Sequence, residues 1–221
     1  MGHALRSGVS FCRVAGRLMF LDAPNDRYFC LASAAEEGFR RLIEGREMDA
    51  GQRRTIDRLA GDGLLEPAPD PVRPLACPAR PPADESLLDL DPERASLWQL
   101  AAAGFHLASV PVALRLYGFG AVIARLMRRK EQVRGQGISF ERARQVASAF
   151  ERTSDLVTAH DHCLSRSIAI SRRLVALGGR PDLIIGVKLQ PFRAHCWVQL
   201  DRWLVNDRAE IVGDFTPILI V

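Results

Sequence analysis

Seven of the chain's 13 prolines fall between Pro67 and Pro82. Proline fixes φ and removes a backbone donor, so neither a helix nor a central strand can run through such a stretch. The segment is extended and semi-rigid, which suits a spacer between two bodies. The 221 residues therefore read as two domains, 1–66 and 92–221, joined by a proline-rich linker at 67–91. A hydrophobic share of 48% and a charged share of 25% are ordinary for packed globular domains and exclude a disordered or collagenous chain.

The front body opens with three short β-rich runs, Val9 to Val14, Arg17 to Leu21 and Arg27 to Leu31, separated by turn residues. Ser33 with Glu36 three residues later matches a capping box, and a helix is expected to Ile43 before Gly45. A second helix is expected from Ala50 to Leu59. Three strands in meander plus short helices fit a winged-helix module, and the exposed edge of a meander can accept an extended peptide by main-chain hydrogen bonds. Residues 1–66 carry 10 basic and 10 acidic groups, so there is little attraction for phosphate and nucleic acid is not an expected partner.

The net charge of +4 is concentrated elsewhere, because residues 92–153 hold 10 basic groups against 4 acidic ones. Arg125, Arg128, Arg129, Lys130 and Arg134 read either as a solvated helix face or as a docking face for an acidic partner. Ala95 to Leu114 is a run of 20 residues without a formal charge, long enough to cross a bilayer. It includes Ser96, Gln99, Gly104, His106, Ser109 and Pro111, so the expectation is no membrane span but a mostly buried helix that bends or restarts near Pro111. Five cysteines without paired spacing, and no apolar signal segment at the start, fit free thiols in a cytoplasmic setting.

The chemistry is expected after residue 160. Cys163 stands where His160-Asp161-His162 gives way to a helix reaching Leu177, closed by Gly178-Gly179. A thiol at a helix N-terminus faces unpaired N–H groups and the positive end of the dipole, which favours the thiolate. A small buried cysteine is the competing reading. β-rich runs follow at Leu183 to Leu189, Ala194 to Leu200, Trp203 to Asp207 and Ile218 to Val221. His195, on the second, can reach such a helix N-terminus as general base, and Asp207, on the third, is the natural group to orient its far nitrogen. A two-residue loop at Asp201-Arg202 would pair Asp207 with Cys196, whereas a three-residue loop or a bulge would set it opposite His195. An odd loop is therefore expected. Cys196 is expected to point away from His195 and to pack. His160 and His162 with Cys163, His195 and Cys196 match no standard zinc spacing, so no metal and no cofactor are expected.

The run His162-Cys163-Leu164-Ser165-Arg166-Ser167-Ile168-Ala169, then Pro191-Phe192-Arg193-Ala194-His195-Cys196-Trp197-Val198, then Val205-Asn206-Asp207, resembles the transglutaminase-like cysteine peptidase of lasso peptide maturation. That resemblance spans roughly 92–221 and implies an α+β, papain-like peptidase domain with Cys163 as nucleophile, His195 as base and Asp207 as orienting acid. The front body resembles, at the level of fold, the winged-helix (PqqD-like) leader-recognition element of peptide-maturation systems. By that likeness the peptide groove lies between the third strand and a nearby helix, with Arg27, Tyr28, Phe29 and Leu31 lining it or its floor. The implied partners are a precursor leader peptide and an ATP-dependent macrocyclase. An acyltransferase using the same acyl-enzyme, and a non-catalytic peptide-binding adaptor, are the alternatives.

Overall fold

The computed structural model describes every residue except 1, 81, 82, 84, 135, 136 and 155–162. The chain divides into two compact units, Met1–Ala79 and Arg80–Val221, with a mixed α+β architecture.

Unit 1 holds β1 (Gly2–Leu5), β2 (Val9–Val14), β3 (Arg17–Asp22), β4 (Arg27–Cys30), α1 (Ser33–Glu44), α2 (Ala50–Gly61) and β5 (Leu65–Ala68). β2, β3 and β4 form an antiparallel meander in that order, and β1 pairs with β5. Phe11, Phe20 and Phe39 meet with ring centroids 5.2–5.5 Å apart, where two strands and α1 converge. Each such side chain contributes about 1.5–3 kcal/mol of burial.

Two local expectations fail here. Ala32, not Ser33, occupies the N-cap of α1 and makes no side-chain cap. Glu36 is buried instead, accepting from the Leu18 amide at 3.0 Å, from Arg17 at 2.7 Å and from Arg40 at 2.6 Å. A carboxylate satisfied three ways by a neighbouring strand and two guanidiniums has no reason to turn back to its own helix end. The capping box lies on α2 instead, between Asp49 and Gln52.

The expected spacer at 67–91 is partly built into both units. Pro67 and Ala68 belong to β5, the Val72 carbonyl accepts from His3 at 3.0 Å, and the Cys77 amide donates to Phe11 at 2.7 Å. Further on, Glu85–Ser86 (β6) pairs with a strand of unit 2. Prolines are tolerated at sheet edges, and the residues between them keep their donors.

Unit 2 continues with α3 (Leu97–Gln132), α4 (Phe140–Ser154), α5 (Cys163–Ala176), β7 (Asp182–Leu189), β8 (Phe192–Leu200), β9 (Trp203–Leu204), α6 (Ala209–Val212) and β10 (Thr216–Ile220). Its sheet runs β10-β7-β8-β9-β6, with α5 packed on β8 and α3 packed on α4 and α5. The buried face of α5, with Ile168, Ile170 and Leu174, supplies much of the core.

The long apolar helix also departs from expectation. α3 runs through Pro111 and breaks at Gly118, whose φ of 75° is a left-handed conformation that glycine adopts at no steric cost. By length and composition α3 could cross a membrane, and only 22% of its most apolar 18-residue window is buried. It is not the mostly buried helix that the sequence pattern suggested.

Candidate active site

Cys163 is the first residue of α5 and is half-buried. His195 is the fourth residue of β8, paired across the sheet with Gly186. A Cβ at Gly186 would lie 2.7 Å from the Trp197 indole and 2.8 Å from Phe215, so only glycine lets those rings close around the histidine. The His195 ring stacks at 6.1 Å on Trp197 and 5.2 Å from Phe215. Asp207, buried in the bend after β9, meets His195 Nε2 through Oδ2. That leaves Nδ1 as the ring nitrogen that can face Cys163.

Asp207 hydrogen-bonds His195, and His195 in turn acts on the Cys163 thiol. Burial alone would raise the Cys163 thiol, but the hydrogen bond and charge of His195, with the backbone amides of Cys196 and Leu164, hold it below the ordinary value. The hydrogen bonds to Asp207 and Cys163 push the His195 imidazole up to about 9, against a smaller opposing effect of burial. A lowered thiol beside a raised imidazole favours the thiolate–imidazolium form of the pair.

The route by which Asp207 reaches His195 differs from the expected one. Gln199 pairs with Leu204 and Leu200 with Trp203, the tight two-residue register, and the Val205 amide still donates to Val198 at 2.9 Å. Extended further, that ladder would set Asp207 opposite Cys196. It stops at Asn206. The Asn206 side chain takes over, its Oδ1 accepting from the Val198 amide at 2.8 Å, and the chain bends away. The bend delivers Asp207 to His195 without an odd loop.

Three buried residues that the sequence reading did not single out fix this arrangement. Asn206 Nδ2 donates to Ser167 Oγ at 2.9 Å, and Ser167 Oγ donates to the Cys196 carbonyl at 2.8 Å. Those two bonds tie α5, which carries Cys163, to β8, which carries His195, and to the bend before Asp207. Ser86 Oγ donates to the Asp207 carbonyl at 2.6 Å, and Asp207 Oδ1 accepts from the Arg208 amide at 2.9 Å. Cys196 is buried, and burial pushes its thiol upward. His160 and His162 lie outside the described residues. Among the described residues no group of three or more His, Cys, Asp or Glu is placed to hold a metal.

Residues 106–220 match the model of the transglutaminase-like superfamily. The chain belongs to that superfamily. Membership accounts for most of unit 2, where helices pack on a sheet that is antiparallel except at its β6–β9 pair, and is consistent with cysteine peptidase or acyltransferase chemistry. No curated protein and no solved structure matches the chain. Unit 1 lies outside the transglutaminase-like match, and its candidate peptide-binding residues rest on the fold alone.

Those residues divide by exposure. β4 is an end strand of its sheet, and no strand pairs with its outer edge among the described residues. Arg27 is exposed, with its guanidinium 4.9 Å from the Phe29 ring centroid. Tyr28 and Phe29 are half-buried, and Phe29 stacks on Phe20 at 5.3 Å. Leu31 is buried within the core of unit 1.

Proposed function

We propose that this transglutaminase-like chain is a cysteine peptidase that removes the leader from a ribosomally synthesised lasso peptide precursor. The reading is carried by one observation: Cys163, His195 and Asp207 come together in that order, with Asp207 bonded to His195, the thiol lowered and the imidazole raised.

The chemistry follows from that arrangement. The Cys163 thiolate attacks the scissile carbonyl carbon, and the carbonyl π pair moves onto oxygen. The Cys196 and Leu164 amides, which face the sulfur, can donate to that oxyanion. Collapse breaks the C–N bond, and the His195 imidazolium gives its proton to the leaving amine, which departs as the core peptide. The leader is left as a thioester on Cys163. Neutral His195 then takes a proton from water, whose oxygen displaces the sulfur and frees the leader as a carboxylic acid. Asp207 keeps the ring oriented through Nε2 and stabilises its charged form.

Unit 1 supplies recognition in this reading. The leader adds as a strand to the open edge of β4, near Arg27, Tyr28 and Phe29, over a floor that includes Leu31. Tethering raises the local concentration of the scissile bond, so the catalytic unit needs little selectivity of its own. The reaction belongs to the cytoplasm, and its core product passes to an ATP-dependent macrocyclase.

The test is to incubate the full chain with a lasso precursor and weigh the products. A free leader acid and an intact core, both lost in Cys163→Ala, are expected. A leader joined to an amine by an amide bond would instead assign an acyltransferase. Unchanged processing by Cys163→Ala would leave the chain as an adaptor.

A further inference from the structure

The break at Gly118 folds α3 into two arms, 97–117 and 119–132. Between them and α5 lies a cavity of about 490 Å³. Its walls include Phe105 and Tyr117 from the first arm, Arg125, Arg128 and Arg129 from the second, and Arg172 from α5. Among the described residues none of these four arginines has a carboxylate partner, whereas Glu36 in unit 1 alone holds two guanidiniums. Arg172 is held below its ordinary value, first by burial and then by the charges of Arg125 and Arg129. His106, also on the wall, is lowered by burial and then by Arg173, Arg172 and Arg129. Four guanidiniums around one cavity repel one another, and an anion from outside relieves that repulsion. Their planar forks match phosphate oxygens.

The same arm carries an apolar stripe beside the cavity. Trp98, Phe105, Val112 and Leu116 are 86%, 69%, 56% and 67% exposed. At 100° per residue they fall within about 40° of one another on the helix, and Phe105 is both on the stripe and on the cavity wall. The opposite face buries Ala103 and Val110. An exposed apolar stripe with a tryptophan, flanked by arginines, is the pattern of a helix lying in a membrane interface. A freely solvated helix does not need the apolar side chains, and a purely acidic partner does not use them.

We propose that this face docks on an anionic phospholipid surface, with the apolar stripe of the first α3 arm in the interface and the arginine cavity holding a lipid phosphate. The chain lies on the bilayer, because the inner face of α3 is packed on α4 and α5. Neither Cys163 nor unit 1 is needed for this binding.

The experiment is flotation of the full chain with phosphatidylcholine vesicles, with and without phosphatidylglycerol. Binding is expected only with phosphatidylglycerol, weakening as salt rises. Arg125→Gln/Arg129→Gln should weaken it about 30-fold, at roughly 5-fold per arginine. That variant should melt no lower than the parent, since removing like charges relieves the cluster. Trp98→Ser/Phe105→Ser should also weaken flotation. Equal binding to uncharged vesicles, or unchanged flotation of the arginine variant, would overturn the proposal. So would absence of flotation with a pyrophosphate-induced rise in melting temperature that the arginine variant loses, which would assign a soluble phosphate ligand. Dimerisation through this face without lipid would overturn it too.

Discussion

Unit 1 buries Glu36 and unit 2 buries Asp207 against cationic side chains, and the two are used differently. Glu36 in unit 1 is clasped by Arg17 and Arg40, which stay charged at every working pH, and by the Leu18 amide. Asp207 in unit 2 faces His195, whose proton can leave. Burial raises the Glu36 carboxyl, but its two arginines and the amide outweigh that and hold it below 4.5. The first arrangement locks a fold; the second sets a titratable imidazole beside a thiol. A buried charge pair becomes chemistry only when one partner titrates and a third group lies within reach.

The sharpest way to break that contrast is Cys163→Ala. Peptide cleavage should drop about 10⁴-fold or more, to the background level, while unit 1 melts as before. Asp207→Asn comes next, with kcat falling about 10²–10⁴-fold because the ring loses its orienting charge. Its alkaline limb should move down, since His195 is raised to about 9 chiefly by Asp207. In the parent, kcat/KM should fall as pH rises through about 9, where the imidazolium is lost. Asn206→Ala leaves the Val198 amide and Ser167 hydroxyl without their partner, and a cut in kcat of about 10–100-fold is expected from misplacement of Asp207. Rescue by Asn206→Asp should be poor, because a carboxylate cannot donate to Ser167.

The smallest effect on catalysis is expected from Glu36→Gln. Cleavage of a short peptide that spans the leader–core junction but lacks the segment bound by unit 1 should be unchanged, and calorimetry should show unit 1 destabilised by about 1–3 kcal/mol. The two carboxylate sites also fail at opposite ends of the pH scale. The Glu36 contribution is complete above 4.5 and is lost as pH falls through its depressed value. The raised His195 contributes stability that is complete below 6.5 and is lost as pH rises through about 9.

Much of this was legible from residues alone, and the failures have physical causes. β-rich runs set off by turn residues placed β2, β3, β7 and β8, because branched and aromatic side chains fill the pleated, buried faces these strands present. Cys163 was readable as a helix start, and His195 and Asp207 as its partners, since residue type and order carry that chemistry. The path of Asp207 was not readable. It depends on Asn206 replacing one rung of a ladder, and a side chain substituting for backbone leaves no periodic trace. Glu36 failed likewise, because its strand partners at Arg17 and Leu18 are distant in sequence. α3 was misjudged because hydropathy reports an apolar face without saying what covers it.

The most direct measurement is the rate of iodoacetamide alkylation at each cysteine as a function of pH, mapped by mass spectrometry on the native chain. Cys163 should titrate below the ordinary thiol value of 9.0, and His195→Ala should abolish that advantage. Burial pushes Cys12 up to about 12 and Cys77 to about 11, and both should stay slow. Cys163 titrating at or above 9.0, with the same profile in His195→Ala, would contradict a thiolate–imidazolium pair and with it the assignment of Cys163 as nucleophile.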